Sequence, residues 1–69
     1  MSNASIANFS FIASESDFND FTKYEPINRL MELEVRLASA VRTLAGSRTA
    51  VTEFLERRLS QIRLVLANA

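Results

Sequence analysis

At 69 residues, with no cysteine and no histidine, the chain forms one domain at most, without disulfide staples, thiolate or imidazole metal sites, or the commonest nucleophile and proton-transfer side chains. Its formal net charge is zero, which argues against a strongly electrostatic nucleic-acid surface. No apolar run approaches the ~20 residues of a membrane-spanning helix, and the N-terminus lacks a basic start followed by an apolar run, so the expectation is a cytoplasmic protein that crosses no membrane.

Charge is unevenly placed along the chain. Residues 1–25 carry Glu15, Asp17, Asp20 and Glu25 against Lys23, while the remainder carries seven arginines against four glutamates. An acidic arm of this kind is suited to lying on the basic helices of another copy, or it is an ordinary solvated arm. Four of the five phenylalanines, Phe9, Phe11, Phe18 and Phe21, lie in this arm with Tyr24. Disordered tails are poor in aromatics because they have no core to bury, so these five residues are expected to dock, either completing the core of an oligomer or contacting a partner. Ile6 to Ala13 (IANFSFIA) is compatible with a short extended segment. Phe18, Phe21 and Tyr24 recur every three residues, which predicts a short helix over 15–23, capped by Ser14 or Ser16, with Glu15 and Asp17 at its positive end.

Pro26 sits where a first helical turn tolerates it, Ile27 to Ala45 are strong helix formers, and Gly46 closes the run. Ser47 or Thr49 then caps a second helix that runs to about Leu66. The reading is an all-α fold. An antiparallel hairpin of helices over about 26–45 and 48–67 follows the aromatic arm, which divides the chain into a docking arm (1–25) and a hairpin oligomerisation domain (26–69).

At 100° per residue, Ile27, Leu30, Leu33, Leu37, Val41 and Leu44 form one stripe of the first long helix, with Met31, Val35 and Ala38 as a side lobe. On the second, Val51, Leu55, Leu59, Ile62 and Leu66 form the stripe, Phe54 and Val65 its lobe, and Leu64 stands alone on the polar side. A helix pair buries only its facing stripes, so Met31, Val35, Phe54 and Val65 are expected to make oligomer contacts, in a homodimeric four-helix bundle or a larger complex. Leu64 is a candidate outer contact, or one of the isolated apolar residues that protein surfaces carry. Glu34 interrupts the first stripe, and folding about Gly46 and Ser47 sets it level with Arg58, a candidate polar pair that fixes register. The same register sets Ile27 near Leu66, Leu30 near Ile62, Leu37 near Leu55 and Val41 near Val51. Glu32 with Arg36, and Glu53 with Arg57, have the spacing of surface ion pairs.

A second reading comes from a resemblance. Met31 to Leu37 (MELEVRL) alternates apolar and polar residues, and GSRTAVTEFLERRL resembles the second helix of ribbon-helix-helix repressors and antitoxins. The similarity covers Met31 to about Ile62. It implies a dimer whose strand reads DNA in the major groove through Glu32, Glu34 and Arg36. Two carboxylates on that face, and only nine residues, Ala38 to Gly46, for the first helix and its end, depart from the family pattern.

Without a glycine-rich phosphate loop or a calcium loop, and with too small a body to enclose a pocket, the chain is expected to be non-enzymatic and free of cofactors. The leading expectation is a protein-protein interaction protein: an adaptor, small chaperone, assembly factor or structural subunit of a larger particle.

Overall fold

The computed structural model describes residues 6–47 and 49–69, with side chains from residue 9 onward. Residues 1–5 of the arm, and Arg48 beside the expected start of the second long helix, lie outside the described residues. The first element is a 3-10 helix, Ile6–Ile12, kinked at Phe9 (φ −125°, ψ 26°). This corrects the extended reading of IANFSFIA. Phe9 and Ile12 are both buried while Phe11 between them is 40% exposed. Residues three apart share a side in a 3-10 helix, whereas a strand would have turned Ile12 away from Phe9.

Helix α1, Glu15–Tyr24, ends one residue beyond the expected 15–23. Ser14 is its cap: extended at φ −95° and ψ 159°, it accepts a hydrogen bond from the Asp17 N–H at 3.0 Å. Glu15 and Asp17 occupy the first turn and Lys23 the last, each complementing the helix dipole. The helix stops because Pro26 disfavours the helical conformation in the residue before it, and Glu25 is accordingly extended at φ −83° and ψ 146°. Pro26, also extended at ψ 160°, is the N-cap of helix α2, Ile27–Thr43. Two extended residues thus form the hinge between α1 and α2.

Helix α3, Ala50–Ala67, follows a short loop. Gly46 turns that loop at φ +99°, a backbone conformation that L side chains rarely adopt. Of the two residues expected to cap α3, Thr49 does so, accepting from the Thr52 N–H at 3.2 Å, while the buried Thr52 hydroxyl donates to the Ser47 carbonyl at 2.8 Å. The loop is therefore tied to the first turn of the helix it launches.

The fold is all-helical, and no strand occurs among the described residues. Helices α2 and α3 pack as a hairpin. Leu30, Leu33, Leu37 and Ala40 from α2 and Leu55, Leu59 and Ile62 from α3 are buried in one core, joined by Phe9, Ile12 and Phe18 of the arm. The Cα radius of gyration, 11.5 Å, is close to the ~11 Å of a compact chain of this length. The arm folds back on the hairpin of its own chain. Ile27, expected in the seam, is exposed, while Val41, Leu44, Val51 and Leu66 are half-buried at its margins.

Met31 to Leu37 is helical throughout, which removes the strand on which the ribbon-helix-helix reading rested. Its apolar alternation is two helical stripes interleaved. Leu33 and Leu37, four apart, face the core, and Met31 and Val35, four apart, face out. Nor do the three charged residues of that run share a role: Glu32 approaches Arg29 at 3.5 Å rather than Arg36, Glu34 pairs with Arg63 at 3.0 Å, and the Arg36 guanidinium lies over the Phe9 and Phe11 rings.

Candidate interaction surfaces

The hairpin has two flanks beside its seam, and they are used differently. On α3, Phe54, Arg58 and Gln61 recur at steps of four and three and form one flank. Arg58 is the centre of the arm's attachment there. Its Nε donates to the Ile12 carbonyl at 2.9 Å and its Nη2 to the Ala13 carbonyl at 3.1 Å. Its Nη1 donates to Glu15 Oε2 at 2.9 Å and to Gln61 Oε1 at 2.7 Å. The Gln61 amide closes the ring by donating to the same carboxylate at 3.3 Å.

The guanidinium also lies 5.0 Å from the Phe54 ring centroid and 5.3 Å from that of Phe18, so it joins a ring of α3 to a ring of α1. Arg58 has only 3% of its side chain exposed, against 59% for Glu15. A buried cation is tolerable only when its donors are satisfied, and no buried side-chain nitrogen or oxygen among the described residues lacks a partner. The Arg58 guanidinium, helped by the Gln61 amide, holds the Glu15 carboxyl below its ordinary pKa. From α2, Arg36 covers the arm's other end, 5.3 Å from the Phe9 ring and 5.8 Å from the Phe11 ring. Phe11 in turn meets Phe21 at 5.3 Å between ring centroids with the rings tilted by 51°, and Phe21 is half-buried against the core.

The expected pair of Glu34 with Arg58 is not formed. By the 100° step, Arg58 belongs to the flank that faces the arm, and Arg63 to the opposite one. Glu34 bonds Arg63, five residues further along α3 than expected. Side chains lean toward the N-terminus of their own helix. In an antiparallel pair the two tips therefore meet between residues whose Cα atoms have already passed each other.

The other expected contact residues divide. Phe9 and Phe18 are buried, Phe54 and Val65 are half-buried against the core, and Tyr24 is 73% exposed. On the flank opposite the arm, Ile27, Met31 and Val35 are 47%, 55% and 63% exposed. With Tyr24 just beyond the hinge they make four of the six exposed large hydrophobics among the described residues. Ala38, half-buried, continues the row. Leu64 is exposed apart from them, alone on the polar side of α3.

No cavity occurs among the described residues, and no group of acidic residues is placed to hold a metal ion. No described helix is long and apolar enough to cross a membrane. Sequence reasoning missed Gln61 and Arg36 as partners of the arm, and Glu15 as the arm's own side of the clasp. The spacing of Phe54, Arg58 and Gln61 was the available signal, whereas the Ile12 and Ala13 carbonyls leave none. Comparison with protein-family models, curated proteins and solved structures finds no match to this chain.

Proposed function

We propose that the chain is a non-enzymatic interaction protein, an adaptor, assembly factor, small chaperone or structural subunit, that docks through the outer row of α2. The carrying observation is the row itself: Ile27, Met31 and Val35 remain open on one flank while the arm covers the other. Exposed apolar side chains gathered on one face are a usual mark of a binding surface, whereas scattered ones are not. Helix α2 offers this row on a rigid element fixed from behind by Leu30, Leu33 and Leu37, in the manner of a helix presented to a groove or to another helix. The assembly is a bundle formed with a further copy or within a larger complex.

A photo-activated phenylalanine analogue placed at Met31, and separately at Ser16 on the exposed part of α1, tests this in the native source. One reproducible adduct from position 31 that is absent from position 16 supports the reading. No adduct at 31, or the same products from both, overturns it.

A further inference from the structure

We draw no further inference here: the strongest candidate, the exposed apolar row of Ile27, Met31 and Val35 along the outer flank of α2, carries nothing beyond the docking role proposed above, because nothing in the structure shows what covers it.

Discussion

Arg58 concentrates more of the fold in one side chain than any other residue. Its three nitrogens bind two carbonyls, a carboxylate and an amide, and its flat face meets two rings. Arg58→Ala removes the donor of the Ile12 and Ala13 carbonyls and the group between the Phe18 and Phe54 rings, and is expected to lower stability by about 2–3 kcal/mol in urea unfolding followed by circular dichroism. Arg58→Lys should recover little, because an ammonium is a point charge without the planar fork that spans separated acceptors. Glu15, the exposed side of the clasp, sets an acid limit. Its folded pKa lies below the ordinary value, so the unfolded chain binds more protons in the interval between the two. The carboxylate's contribution is full above about pH 4.3 and is lost as pH falls through the folded value. Glu15→Gln should make the acid limb of the stability profile shallower while leaving the profile's shape near neutrality unaltered. The sequence marked Arg58 as a polar residue beside an apolar stripe but named the wrong partner. Periodicity places a residue on a face of its helix and is silent about which distant segment crosses that face.

Helices were more legible than contacts, because their ends are set by local chemistry. Ser14, Thr49, Pro26 and Gly46 each act within a few residues of themselves, and the structure uses all four as punctuation. Gly46→Ala meets no atom within 4 Å of the added carbon, so its penalty is conformational alone. The left-handed backbone costs an L residue about 1–2 kcal/mol, part of which is offset by the less flexible unfolded chain; a thermal melt should show a loss of about 1 kcal/mol. Thr49→Ala should cost a similar ~1 kcal/mol by removing the cap of α3. The 3-10 segment escaped a local reading because Phe9, Phe11 and Ile12 are compatible with both a strand and a tight helix. Burial of Phe9 and Ile12 on the same side decides between them, and burial is a tertiary fact.

At the scale of the molecule, the hairpin's need for more apolar cover was legible in the lobes of both helices, yet the source of that cover was not. The α3 lobe residues Phe54 and Val65 are half-buried in the chain's own core, while the α2 lobe residues Met31 and Val35 stay open. A pattern of apolar residues counts the surface to be covered without saying whether the cover comes from the same chain. Among the described residues the arm supplies three of the ten buried hydrophobic side chains, so it and the hairpin should unfold as one unit. Phe18→Ala is expected to cost about 3–5 kcal/mol, a large part of the ~3–10 kcal/mol available to a chain of this length. Amide exchange should then quicken in α2 and α3 together with α1, and quickening confined to α1 would refute this single unit.

Two of the four groups that Arg58 grips are main-chain oxygens, those of Ile12 and Ala13. Every amino acid carries that oxygen, so the clasp recognises the path of the arm more than its spelling. Ala13 is exposed, and its side chain is free to drift through evolution without loosening the grip, whereas an inserted or deleted residue between Phe9 and Glu15 would shift both oxygens out of reach. Descendants of this sequence should therefore vary in letters along the arm's tip while holding its length fixed.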